Sequence, residues 1–156
     1  MENLKVRGFE LVKDEKRLHV GADIILPKRG TKGSAGYDIC SPISFELKPN
    51  EEIMIFTDIK AYMQLDEVLK IYVRSSIGMK GLFLKNTVGI IDSTYYSNES
   101  NDGNIGMKLV NKGNNIIIIN SGERIAQGVF MKFLTVDGDS DDDLEERVGG
   151  YGSTGK

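Results

Sequence analysis

The chain has 156 residues, 40% of them hydrophobic and 28% charged, which excludes a disordered or fibrous polymer and suits one domain with one real core. A formal net charge of -3 gives no bulk attraction to nucleic acid or to an anionic membrane, so phosphate binding would fall to local basic groups. A single cysteine, Cys40, and a single histidine, His19, exclude an intrachain disulfide, a thiolate cluster and the usual multi-histidine metal centre.

The amino terminus MENLKVRGFELVKDEKR has no apolar signal-peptide stretch, and no apolar run nears the roughly 20 residues that span a bilayer. The expectation is a cytoplasmic protein without a membrane partner. Strand-sized apolar runs then follow one another: GFELVK (8–13), HVGADIIL (19–26), YDICS (37–41), EEIMIFTDI (51–59) and VLKIYV (68–73). They continue as LFLKNTVGII (82–91), NIGMKLVN (104–111), NNIIIINS (114–121) and RIAQGVFMKFLTV (124–136). Gly, Asn, Asp and Pro turns separate them at spacings of about 8 to 12 residues, which predicts an all-β barrel or sandwich. The one helical candidate is a turn or two over Ser75 to Gly81, opened by serines able to cap backbone N–H groups. The domain is read as residues 1–136. An acidic linker, DGDSDDDLEE (137–146), follows and leads into a flexible glycine-rich arm, RVGGYGSTGK (147–156), which would order only against a partner or ligand.

Five segments carry chemistry. LPKRGTKGSAGYDIC (26–40) sets basic and small residues before one carboxylate, Asp38, and equally reads as a plain loop entering a strand. RSSIGMKG (74–81) ends a strand with Arg74, Ser75 and Ser76; a guanidinium fork grips two phosphate oxygens, and hydroxyls or N–H groups add a third contact. A capped helix beside a surface arginine is the alternative. NTVGIIDSTYY (86–96) offers Asn86, whose amide matches the edge of a base, and Asp92, which can deprotonate a water while it stays ionised. Asn and Asp beside glycine are also ordinary turn formers, and Tyr95 also suits a core. The spacing from Asp92 to Tyr95 requires a turn between them. In GERIAQGVFMKF (122–133) the polar interruptions are Arg124 and Gln127, the latter able to donate to phosphate or to satisfy neighbouring backbone. RVGGYGSTGK supplies a cation, a ring and hydroxyls suited to covering a phosphate chain, or is a mere tail. It is not a Walker loop, because the chain stops at Lys156 without a following helix.

Taken together, GSAGYDI, RSSIGMKG, NTVGIIDSTY, GERIAQGVF and RVGGYGSTG resemble, in order, the five motifs of the homotrimeric dUTPase family, from about residue 20 to the end. The resemblance implies a β-clip or jelly-roll-like distorted barrel, assembled as a homotrimer with three active sites shared at subunit interfaces. Family members split dUTP into dUMP and pyrophosphate, which limits uracil in DNA and supplies dUMP for dTMP synthesis. It also implies that Asp92 activates the water attacking the α-phosphorus. Asn86 and the hairpin backbone after it would read uracil, Gly89, Ile91 and Met107 would also contact the substrate, and Tyr95 would pack on the deoxyribose and exclude a 2′-hydroxyl. Arg74, Ser75 and Gln127 would hold the phosphate chain, Ser75 close to the leaving-group oxygen, and Ser76 would also contact the substrate. Tyr151 would close over the base, with Arg147, Ser153 and Thr154 on the terminal phosphates and Gly152 also contacting the substrate. Mg2+ would ride mainly on the triphosphate and its waters, with Asp38 an indirect, water-mediated support.

Two features depart from the family pattern. YSNESNDGNIG after Tyr95 spends extra polar residues before the next strand, and segment 96–104 is expected to bulge from the surface. The serine pair in RSSIGMKG also resembles the dCTP deaminases, but their catalytic glutamate falls at Lys108 here, and a lysine cannot serve as that carboxylate. The reading from another class is a non-catalytic nucleotide-binding regulator of the same fold.

Overall fold

The computed structural model describes residues 3–150. Its strands are β1 (Gly8–Leu11), β2 (Lys28–Arg29), β3 (Tyr37–Cys40), β4 (Phe45–Leu47), β5 (Glu52–Phe56) and β6 (Ile59–Tyr62). They continue as β7 (Glu67–Val73), β8 (Leu82–Leu84), β9 (Gly89–Asp92), β10 (Gly106–Asn111), β11 (Ile117–Ile119) and β12 (Arg124–Lys132). One short helix, α1 (Ser75–Met79), interrupts them, with single 3-10 turns at Asp14–Lys16, Ser93–Tyr95 and Asp141–Asp143. The all-β expectation with one short helix holds.

The largest sheet runs β2-β3-β12-β7-β9; β5-β10-β8 forms a second, and β1-β6 and β11-β4 are two-stranded. Every pairing is antiparallel. β7 lies between β12 and β9, and none of its residues is exposed, which is why VLKIYV reads as a nearly continuous apolar run rather than an alternation. Its Leu69 and Ile71 meet Ile39, Ile91, Leu109 and Ile125 in one core.

The structure corrects several expectations. HVGADIIL (19–26) forms no strand: Ala22 N–H turns back to His19 O, and Val20, Ile25 and Leu26 stay exposed. The run 82–91 is two strands in two sheets, because β8 pairs with β10 and β9 with β7. The connection is a corner rather than a hairpin; Thr87 turns it at φ 71°. Neither Ser75 nor Ser76 caps α1; the N-cap position is Arg74, whose carbonyl accepts the first helical bonds from Ile77 and Gly78.

Segment 96–104 bulges to the surface only in part: Ser97, Glu99 and Ser100 are exposed, but the rest turns inward. Asn98, Asp102 and Asn104 are buried. Asp102 accepts from Lys60 Nζ and from Lys13 N–H, both at 2.9 Å. Asn104 Nδ2 donates to Asp58 Oδ1 while Asn104 Oδ1 accepts from Asp58 N–H, both at 2.8 Å. A segment this polar can be buried because each of these groups finds a partner.

Candidate active site

The end of β7, β3 and β12 bring three of the five sequence segments to one place. In register, Gln127 of β12 faces Asp38 of β3 on one side and Tyr72 of β7 on the other, and Arg74 follows the end of β7. Arg74 Nε lies 3.1 Å from Asp38 Oδ1, and Arg124 Nη1 lies 3.3 Å from Asp38 Oδ2. One carboxylate, itself largely covered, thus aims two guanidinium forks. The cavity beside them measures about 430 Å³ and is lined by Asp38, Arg74, Ser75, Ser76, Arg124 and Gln127, among others. Gly36 closes it from below: a Cβ there would sit 2.2 Å from Gln127 Oε1, so glycine alone lets the amide lie across the strand. Two cations, two hydroxyls and an amide around one concavity are donors of the kind that suit an anion.

Arg124 is the site residue that the sequence reading noticed as a polar interruption without assigning it a role. The signal was present, since a charge on an otherwise apolar strand must face solvent or a partner. The neighbouring Cys40 thiol is pushed up by burial and by the Asp38 charge.

A second cavity, of about 300 Å³, lies on the other side of β7 and is walled by Ile71, Leu84, Asn86, Gly89 and Met107, with Lys108 at its edge. A Cβ on Gly89 would come within 3.0 Å of Ile71 Cβ, so glycine is what allows β9 to approach β7 this closely. Asn86 is exposed at this cavity, whereas Met107 and Ile91 belong to the core. Ile91 faces inward opposite Leu69, leaving its backbone rather than its side chain for any contact.

Asp92 ends β9 with its side chain half exposed, and the 3-10 turn Ser93–Tyr95 supplies the turn that the spacing requires. Tyr95 is buried: its hydroxyl donates to Asn104 O at 2.5 Å and accepts from Asn101 Nδ2 at 2.7 Å. Arg147, expected at terminal phosphates, instead reaches this corner. Its Nη2 donates to Asp92 Oδ2 at 2.8 Å, its Nε to Thr94 Oγ1 at 3.1 Å, and its guanidinium lies 5.8 Å from the Tyr95 ring centre. Tyr151, Gly152, Ser153 and Thr154 lie outside the described residues.

Register fixes how the Asp92 corner stands to the anion cavity. Asp92 pairs with Val68 near the start of β7, and Arg74, still extended at φ -69° and ψ 151°, follows its end. Six extended residues at about 3.3 Å each put roughly 20 Å between the two backbones. Asp92 and Arg74 of one chain therefore do not converge on one phosphorus.

Among the described residues no three of His, Cys, Asp and Glu gather as a metal cluster. The carboxylate nearest the anion cavity, Asp38, is engaged by two arginines. That donor set fits a Mg2+ that keeps its waters and is bound chiefly by substrate phosphates, and does not fit an all-protein cage.

The dUTPase family pattern matches residues 22–155. The deoxyuridine 5'-triphosphate nucleotidohydrolase of Lactococcus lactis is 48% identical over 153 residues, 97% of this chain and 99% of the relative. The chain belongs to the dUTPase family. The Wolinella succinogenes relative of the same name is 32% identical, covering 100% of this chain and 99% of its own. The Streptococcus mutans dUTPase crystal structure superposes with a TM-score of 0.72 at 42% identity over 84% of this chain and 99% of that one. A Staphylococcus aureus phage phi11 dUTPase, at 22% identity and a TM-score of 0.67 over 91% of this chain and 99% of that one, shares the fold. The sheets described above are the β-clip, jelly-roll-like architecture of that family. Among the described residues no helix is long and apolar enough to cross a membrane.

Proposed function

We propose that this chain is a dUTP diphosphatase, hydrolysing dUTP to dUMP and pyrophosphate with Asp92 as the base, in a homotrimer whose active sites each draw the Arg74 cavity and the Asp92 corner from different copies. The hydrolase activity itself follows from family membership. The shared site is supported chiefly by one observation, the roughly 20 Å of β7 that separates Asp92 from Arg74 within a chain. A general base must lie within about one water of the atom it serves. A second copy that sets its Arg74 cavity beside the Asp92 corner of the first removes the gap, and three such contacts close a ring.

In this reading Asn86 and the backbone of the β8–β9 corner take the uracil edge, and Gly89 and Met107 wall the ring closely enough to reject a C5 methyl group. Tyr95 meets the sugar. Asp92 accepts a proton from water as the water oxygen bonds to the α-phosphorus. The bond from that phosphorus to the bridging oxygen breaks, and its electron pair leaves with pyrophosphate. Arg74, Gln127 and the hydroxyls of Ser75 and Ser76 neutralise charge that grows on the leaving group, held in advance by Asp38 and the sheet. Bound with the triphosphate, Mg2+ supplies charge neutralisation and a fixed phosphate conformation. Arg147 exchanges Asp92 for phosphate oxygens as the arm, with Tyr151, Gly152, Ser153 and Thr154, closes over the nucleotide. The acidic segment 137–146, exposed wherever its side chains are described, keeps the arm solvated as a linker outside the domain of residues 1–136.

The test is pyrophosphate release from dUTP with magnesium, run beside dCTP, dTTP and UTP, on the natural chain and on Asp92→Asn. Release selective for dUTP that collapses in the variant supports the assignment. Binding of dUTP without cleavage by the natural chain would favour the regulator instead, and an unaffected variant would move the base elsewhere.

A further inference from the structure

Segment 96–104 lies outside the five motifs, and its buried side chains have a chemical pattern. Asn101 sits at its centre. Asn101 Oδ1 accepts from Asn98 Nδ2 at 2.8 Å and from Gly103 N–H at 3.1 Å, which leaves its Nδ2 to donate to the Tyr95 hydroxyl at 2.7 Å. The hydroxyl spends its own proton on Asn104 O at 2.5 Å. Each partner thus fixes the orientation of the next, and the phenol is held from both sides in one rotamer. Asn98 locks the turn beneath: its Nδ2 also donates to Tyr95 O at 2.8 Å, and its Oδ1 accepts from the N–H groups of Ser100 and Asn101 at 3.0 and 3.1 Å. The arm meets the same place. Gly150 is buried, and a Cβ on it would lie 3.1 Å from both Asn101 Nδ2 and Tyr95 Cε2.

We propose that Asn101 is a positioning residue for sugar selection: its amide holds the Tyr95 ring at the depth that excludes a 2′-hydroxyl, and segment 96–104 is the scaffold that aims that amide. The inference rests on the Tyr95 role given above. It goes further in assigning a specificity function to a residue outside all five motifs, and in giving the polar segment a purpose inside the molecule. A ring freed to tilt widens the sugar pocket, so the variant gains on the ribonucleotide while keeping its water-activating carboxylate. The binding chemistry of base and phosphate is untouched.

Asn101→Asp is the sharp probe, because it keeps size and both interactions of Oδ1 but turns the donor facing Tyr95 into an acceptor. The measured quantity is the ratio of kcat/KM for UTP to that for dUTP, with thermal melting to confirm the fold. That ratio is expected to rise about fivefold, the worth of one lost hydrogen bond. Tyr95→Phe, which deletes the hydroxyl, is expected to give a similar rise, and Asn101→Asp combined with Tyr95→Phe no more than Tyr95→Phe alone, since both act through one contact. Asn101→Ala gives the same comparison if the aspartate variant melts early. Ser100→Ala, one residue away and without a side-chain role at Tyr95, is expected to leave the ratio unchanged. An unchanged ratio in both Asn101 variants, or effects that multiply in the double variant, overturns the inference. Tyr95→Ala separates the two levels: if it discards UTP discrimination while the Asn101 variants keep it, the positioning role alone fails. If Tyr95→Ala also discriminates normally, the sugar role of Tyr95 fails with it.

Discussion

Removing Asp102 tests whether the polar segment after Tyr95 is held by a buried ion pair. Asp102 is 4% exposed and Lys60 9%, and Asp102→Ala deletes acceptors for both Lys60 Nζ and Lys13 N–H. Breaking a buried pair from one side costs about 3–5 kcal/mol, because the other charge is left uncompensated. Lys60 retains Ser97 Oγ at 3.3 Å and the Tyr96 ring at 4.8 Å, which places the loss near the lower end, about 3 kcal/mol. For a domain of this size that lowers Tm by about 6–12 °C. Melting is to be compared at one fixed protein concentration, since assembly also stabilises. Adding Lys60→Met removes the stranded charge and is expected to recover most of the loss. The pH dependence gives an independent sign. Burial is the largest single influence on Asp102 and pushes its carboxyl up, but Lys13 N–H and the Lys60 ammonium together outweigh it and hold the group below its ordinary 3.8. A depressed carboxyl contributes stability in full above that value and loses it as pH falls through the folded one. The gap between natural chain and variant should therefore narrow only below about pH 4. A Tm drop under about 2 °C, or a double variant as unstable as the sum of the singles, would refute the reasoning.

Asp92→Asn is expected to lower kcat for dUTP by about 10²–10⁴ with Tm unchanged, since its side chain is half exposed and holds no core contact. Gly36→Ala drives a methyl group into Gln127 Oε1 and should displace the amide from the anion cavity; steady-state kinetics should show weaker dUTP turnover, with circular dichroism unchanged. Glu67 is held below its ordinary 4.5 mainly by the hydrogen bond from Arg7, so its contribution is complete above that value and is lost as pH falls through the folded one. Arg7→Gln should accordingly flatten the acid limb of a plot of Tm against pH. Chelation with EDTA should abolish pyrophosphate release and leave Tm in place, because among the described residues the protein offers no metal cluster of its own.

The parts of the site that the sequence displayed are those where chemistry and chain order coincide. Arg74, Gln127 and Asp38 stand at strand ends or break apolar runs, so their exposure to a shared cavity was legible once the strands were placed. β6 was not legible as a strand of its own, because Lys60 breaks its apolar pattern, and that charge is buried against Asp102, a partner 42 positions away. β2 and β4 are too short, at two and three residues, to leave a period. The run 19–26 is apolar enough for a strand, yet a strand needs a hydrogen-bonding neighbour, and this run turns at His19–Ala22 and pairs with no strand. Local pattern also placed the polar segment 96–104 at the surface, since polarity predicts exposure unless long-range partners are known. Asp58 and Lys13, which supply those partners, come from far earlier in the chain.

Subunit complementation tests the shared site most directly. Asp92→Asn and Arg74→Ala are each expected to be inactive alone as assembled proteins. Unfolded together in equal amounts and refolded, random mixing leaves about a quarter of the sites with an intact Asp92 from one copy and an intact Arg74 from its neighbour. The account predicts that dUTP hydrolysis returns to about that fraction of the natural rate. Mixed assemblies that form and remain as inactive as the two separate variants would show that one chain supplies both residues, and would contradict it.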